Sequence, residues 1–215
     1  INILEAIRIH VPKCRFYSAG SSEEFGDVET MPQTLIHPLK HRSPYGASKC
    51  AARHIVKVYR ESYNLFAIHC VLFNHEGIRR GKKFVTRKIT HNLAKIKYQI
   101  ETDTKITPFQ LGNIYSKRDW SDSEDFIKAI WLMLNGDEAK EYLLSSNESH
   151  SVKDFVDKCC EIYNIDCNWD IDENNPLNTK LIYKGIPIIT ISKKFYRPAE
   201  IDILIGDSTE TYKEL

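Results

Sequence analysis

The chain has 215 residues, 42% of them hydrophobic, and a formal charge of +1. That is enough apolar surface for one sizeable core, or one core with a smaller lobe. Near-neutral charge excludes dependence on an acidic polymer, and the one dense basic run, Arg79-Arg80-Gly81-Lys82-Lys83, reads as a local anion clamp rather than a nucleic-acid surface. No apolar stretch reaches membrane-spanning length. The six cysteines, at 14, 50, 70, 159, 160 and 167, show no C-x-x-C or framework spacing and fit a reducing cytosol, and the eight histidines lack metal-ligand spacing.

In chain order, Asn2 to His10 reads as a helix with Ile3, Leu4 and Ile7 on one side, and Cys14 to Ala19 as the first strand. A polar connection over 27–42 precedes a helix that Ser43-Pro44 opens as N-cap and first-turn proline, running from Tyr45 to about Tyr63 with Ala47, Ala51, Ile55 and Val58 at helical spacing. Phe66 to Phe73 is a nearly continuous apolar run, as a strand buried on both faces requires. A helix over Phe84 to Tyr98 and a strand over Thr107 to Leu111 follow. A further helix opens at Ser121-x-x-Glu124 and carries Phe126, Ile127, Ile130, Trp131 and Leu134 inward. Tyr142 to Ser146 reads as a strand, and Ser151-x-x-Asp154 caps a helix through Ile162. Beyond it, Asp170 to Lys180 looks like polar loop, Ile186 to Ile191 is a β-branched strand, and Ile201 to Gly206 leads to a helix start at Asp207-Ser208-Thr209-Glu210. Alternating helices and strands predict an α/β sheet, with its lobes interleaved along the chain.

The chemistry is concentrated at Ser21-Ser22-Glu23 and Tyr45-Gly46-Ala47-Ser48-Lys49. The four-residue step from Tyr45 to Lys49 puts both side chains on one helical face, where an ammonium stabilises a phenolate that can act as a base. Among 11 tyrosines, about one such spacing is expected by chance, so its weight comes from its surroundings. Ser21 and Glu23 fall just past the carboxyl end of a strand, where open α/β sheets bind ligands. A tyrosine and lysine of this kind work beside a dinucleotide, yet no G-x-G-x-x-G or G-x-x-G-x-x-G occurs.

In order, Arg15-Phe16-Tyr17-Ser18-Ala19-Gly20-Ser21-Ser22-Glu23-Glu24-Phe25-Gly26, Arg42-Ser43-Pro44-Tyr45-Gly46-Ala47-Ser48-Lys49, Leu72-Phe73-Asn74-His75-Glu76, Arg79-Arg80-Gly81, Lys117-Arg118-Asp119-Trp120 and Tyr196-Arg197-Pro198-Ala199-Glu200 resemble the extended short-chain dehydrogenase/reductase superfamily and, within it, the GDP-mannose 4,6-dehydratase family. The resemblance implies an incomplete Rossmann-like, doubly wound parallel sheet. Residues 1–215 would form one interleaved unit, with the smaller substrate-binding lobe mainly at 76–110 and 147–206. It implies an internal fragment lacking the glycine-rich half, from a cytoplasmic enzyme that is homo-oligomeric in full-length form and takes GDP-mannose as substrate and NADP as cofactor. Ser21, Glu23, Tyr45 and Lys49 would be catalytic. Tyr45, Lys49, His75 and Arg80 would face the cofactor, and Asn74, Lys88, Arg118, Arg197 and Glu200 the substrate. An inactive remnant, or another nucleotide-sugar dehydratase or epimerase, is the competing reading. The chain departs from the family pattern at Ser21 (usually Thr), Phe25 (Tyr), Gly77-Ile78 (Ser-Pro) and Ser121-Asp122 (Gly-His).

Overall fold

The computed structural model describes residues 1–196 and 203–215. Its elements are α1 (Asn2–His10), β1 (Phe16–Ala19), α2 (Pro44–Tyr63), β2 (Ala67–Leu72), β3 (Asn74–Glu76), α3 (Val85–Glu101), β4 (Phe109–Leu111) and β5 (Lys117–Arg118). They continue with β6 (Trp120–Asp122), α4 (Ser123–Asn135), β7 (Glu141–Leu144), β8 (His150–Ser151), α5 (Val152–Tyr163), β9 (Asn168–Asp170), β10 (Lys180–Tyr183), β11 (Ile186–Ile191) and α6 (Thr209–Glu214). The chain divides into two compact units, one of Ile1–Gly77, Arg118–Ser149 and Ile203–Leu215, the other of Ile78–Lys117 and His150–Asp202.

The first unit is built on a parallel sheet of order β1-β2-β7. Every residue of β2 is buried, as a central strand covered on both faces must be. Because side chains alternate, Ala67 joins Leu4, Ile7, Val56 and Leu65 under α1 and α2, while Ile68, Cys70 and Leu72 join Phe126 and Met133 of α4 with Tyr142 and Leu144 of β7. Helices thus cover both faces of a parallel sheet, the doubly wound arrangement.

Two helical faces differ from the sequence reading. On α2 the buried positions are Gly46, Arg53 and Val56, while Ala51 and Val58 are exposed. The inward face is turned by Arg53, which donates to Glu141 of β7 at 2.9 Å and to the Leu35 carbonyl at 2.8 Å, a charged residue that a pattern of apolar residues passes over. On α4 the cap is the Asp122 side chain, which accepts from the Glu124 N–H, rather than Ser121. Starting one residue later, that helix buries Phe126 and Met133 and leaves Ile127 and Trp131 exposed.

In the second unit, a four-stranded sheet of order β4-β11-β10-β9 combines a parallel β4–β11 pair with antiparallel neighbours. Ile89, Leu93 and Ile96 of α3, Val156 and Cys159 of α5, and Leu181, Ile188 and Ile189 of the sheet are buried. Part of what looked like loop over Asp170 to Lys180 is strand. β10 begins at Lys180 and forms a hairpin with β11 through Lys184-Gly185, both at positive φ, as a two-residue hairpin turn demands.

Candidate functional site

The candidate residues Ser21, Glu23, Asn74 and His75 lie past the carboxyl ends of the parallel strands of the first unit. β1 ends at Ala19, and its neighbour β2, paired Ala19 to Cys70, ends at Leu72. The turn after β1 therefore carries Ser21 and Glu23, and the segment after β2 carries Asn74 and His75. Ser21 caps a short 3-10 turn (Ser22–Glu24): its hydroxyl accepts the Glu23 N–H at 3.3 Å, and Glu24 Oε1 accepts the Ser21 N–H at 2.8 Å. The capping carboxylate is thus Glu24 rather than Glu23. Glu24 is fully buried and Glu23 half-buried.

Gly46 fixes α2 against this turn. A Cβ on Gly46 would lie 2.4 Å from the Glu23 carbonyl oxygen and 3.1 Å from Cβ of His41, so only glycine permits the approach. Ser43 starts the helix by accepting the Gly46 N–H at 2.9 Å, with Pro44 in the first turn. One helical turn on, Lys49 Nζ donates to the Ala19 carbonyl at 2.8 Å and stands 5.6 Å from the centre of the Tyr45 ring. Lys49 is thereby tied to the end of β1 below Ser21. Tyr45 is 54% exposed.

His75 Nδ1 donates to the Phe73 carbonyl at 3.0 Å, which fixes the ring, and the ring lies 5.0 Å from that of Phe126. Asn74 sits opposite Trp120 in the β3–β6 pair. Phe25, where the family pattern has a tyrosine, is fully buried against His37 and Phe73, a place suited to a ring without a hydroxyl. Arg118 is in β5. Beside it Asp119 is fully buried and accepts from the Ser146 N–H at 2.7 Å, the Ser146 hydroxyl at 2.8 Å and the Gly206 N–H at 3.2 Å. Burial pushes its carboxyl above the usual carboxylate value, against the pull of those bonds.

In the second unit, the Arg80 guanidinium stacks on Phe84, 3.7 Å from the ring centre, and Lys88 Nζ is 3.5 Å from the centre of the Phe195 ring. Burial lowers the Lys88 amine below its ordinary value. Arg197 and Glu200 lie outside the described residues. Among the described residues, no three His, Cys, Asp or Glu side chains are grouped as a metal would need, and no helix is long and apolar enough to cross a membrane.

Sequence reasoning missed Glu24, His69 and the role of Gly46. The Ser21-x-x-Glu24 spacing was a capping-box signal that could have revealed Glu24. His69 stood out as the one polar residue inside an apolar strand, but its partner on another element had no local signature.

The structure fits only part of a dinucleotide. Exposed Tyr45 over an anchored Lys49, at the ends of parallel strands, suits a nicotinamide and its ribose, whereas the sequence holds no glycine-rich turn for a pyrophosphate. Chemically, the arrangement offers a phenol–ammonium pair for proton transfer from a hydroxyl and, on the adjoining turn, a carboxylate two residues from a hydroxyl donor.

A family model described as GDP-mannose 4,6 dehydratase matches residues 1–215. The chain is 39% identical over 218 residues to GDP-mannose 4,6 dehydratase of Homo sapiens, covering 100% of this chain and 57% of that protein. It is 39% identical over 220 residues to the Drosophila melanogaster protein of that name, covering 100% and 53%, and 36% identical over 226 residues to the Vibrio cholerae one, covering 100% and 59%. The chain spans just over half the length of these curated relatives. Among solved structures, dTDP-glucose 4,6-dehydratase from Bacillus anthracis in complex with NAD is similar with a TM-score of 0.74 at 18% identity, over 99% of this chain and 58% of that one. RMD from Pseudomonas aeruginosa complexed with NADPH is similar with a TM-score of 0.76 at 19% identity, over 99% and 63%. At such identities the likeness concerns the fold, and it agrees with the Rossmann-like α/β sheet.

Proposed function

This chain belongs to the GDP-mannose 4,6 dehydratase family, and on that premise we propose that it carries the proton-transfer centre of an enzyme that removes water from GDP-mannose to give GDP-4-keto-6-deoxy-mannose. A bound nicotinamide cofactor, NADP in this reading, supplies a hydride acceptor for C4 of the sugar and a hydride donor for C6. Tyr45 takes the O4 proton as C4 is oxidised, and Lys49, held by the Ala19 carbonyl, stabilises the phenolate and holds the nicotinamide ribose. The Ser21 hydroxyl donates to the sugar oxygen on which charge builds up. With a ketone at C4 the C5 proton is acidic; Glu23 removes it and passes it to the C6 hydroxyl, which leaves as water, and as hydride reaches C6 a proton returns to C5, balanced by the O4 proton that Tyr45 took.

His75 and Arg80 act on the cofactor side. Asn74, Lys88, Arg118, Arg197 and Glu200 act on the GDP-sugar, the arginines as two-pronged donors to diphosphate. The second unit would be the substrate-binding lobe of a cytoplasmic homo-oligomer. The observation that supports the reading is the packing of Gly46 on the Glu23 carbonyl, which sets the helix start that carries Tyr45 directly against the turn that carries Glu23. Incubating the native protein with GDP-mannose and NADP and weighing the product tests it. Loss of one water supports the reading, and a product of unchanged mass identifies an epimerase instead.

A further inference from the structure

We infer that Glu24 and His69 are positioning residues that set the Ser21–Glu23 turn for the elimination, an inference that rests on the dehydration reading above. Both are fully buried, Glu24 in the turn and His69 in the middle of β2. Glu24 Oε1 stands 2.8 Å from the Ser21 nitrogen and 3.1 Å from His69 Nε2, and His69 Nδ1 is 3.1 Å from the Ser18 hydroxyl. With Nε2–H donating to the carboxylate, Nδ1 accepts the hydroxyl, so one chain of hydrogen bonds runs from β1 through β2 to the backbone of Ser21.

The space around the pair is closed. A Cβ on Gly20 would lie 2.5 Å from His69 Nε2, 2.6 Å from the Cys70 carbonyl oxygen and 2.7 Å from Glu24 Oε1, so the residue before Ser21 is a glycine pressed onto the pair. A buried acid and imidazole are costly to place in a core, and a simple cap at the protein surface needs neither. What they accomplish here is to fix the peptide whose side chains flank the sugar. Ser21 is the residue whose N–H Glu24 holds, and Glu23 is the residue whose N–H the Ser21 hydroxyl holds. Displacement of this turn by about 1 Å moves a base off its proton and costs on the order of 100-fold in rate.

The test uses the native protein with the substitutions Glu24→Leu, Glu24→Gln and His69→Gln. It compares kcat per folded molecule, KM for GDP-mannose, and the isotope effect on kcat with substrate deuterated at C5. The inference predicts that Glu24→Leu lowers kcat about tenfold or more with KM changed less than about twofold, and raises the C5 isotope effect because proton removal becomes slower than the other steps. Glu24→Gln keeps an acceptor for the Ser21 N–H and retains most of kcat. Loss of turnover only in proportion to lost folded protein, with an unchanged isotope effect, overturns the inference. If Glu24→Leu does not fold, His69→Gln decides by the same two readouts. A wild-type protein without dehydration overturns the functional reading itself, an outcome visible before any variant is made.

Discussion

Replacing Gly46 with alanine adds one methyl at the point where α2 meets the Ser21–Glu23 turn. That carbon would stand 2.4 Å from the Glu23 carbonyl oxygen and 3.2 Å from its carbon, both backbone atoms, so no side chain can swing aside to make room. Restoring ordinary contact requires the helix start and the turn to part by about 1 Å. Two energies compete in stability: alanine is favoured over glycine in a helix by about 1 kcal/mol, and forcing extra volume into a packed site costs about 1–3 kcal/mol. The net loss is therefore about 0–2 kcal/mol, a fall in Tm of a few degrees. The effect on catalysis is far larger, because Tyr45 and Glu23 are neighbours of the two backbones forced apart. A displacement of about 1 Å costs on the order of 100-fold in kcat. Steady-state kinetics on the native protein, paired with a thermal melt, separates the two. Activity within about threefold of wild type would refute the claim that this contact sets the geometry.

Tyr45→Phe should block the first oxidation, so that no reduced cofactor forms, while Glu23→Gln should permit oxidation at C4 and stall elimination, with a 4-keto sugar and reduced cofactor building up; each should cost about 10²–10⁴-fold, read by absorbance of the cofactor and by mass. Acid should unfold the first unit partly through Glu141. Burial works to raise this carboxyl, but the Arg53 guanidinium bonded to it prevails and holds it below the ordinary 4.5. A group with a depressed folded pKa contributes stability above its unfolded value and loses it as pH falls through the folded one. The difference in urea midpoint between wild type and Glu141→Gln should thus be full at pH 6 and shrink below about pH 4.5; a constant gap would exclude the pair as its source.

The parallel sheet was legible because β2 is apolar on both faces and leaves little choice of environment, and because Ser43-Pro44 and Ser151-x-x-Asp154 mark helix starts through short-range bonds. The placement of Ser21 and Glu23 just past β1, and of Tyr45 and Lys49 one helical turn apart on α2, was legible because position past a strand and spacing on a helix are local properties. What escaped depends on partners distant in sequence. Arg53 turns the inward face of α2 through Glu141, 88 residues away, and Glu24 is bonded to His69, 45 residues away. The strand Lys180–Tyr183 escaped because polar residues surround it on one side, and its strongest signal is the two-residue turn Lys184-Gly185 that follows.

The most direct test of the central claim is to follow GDP-mannose through the native protein with catalytic NADP, recording product mass and cofactor absorbance together. Dehydration through a transient C4 ketone predicts a product lighter by one water, many turnovers per NADP, and no net NADPH at the end. A product of unchanged mass, or stoichiometric accumulation of NADPH by the wild-type protein, would contradict it.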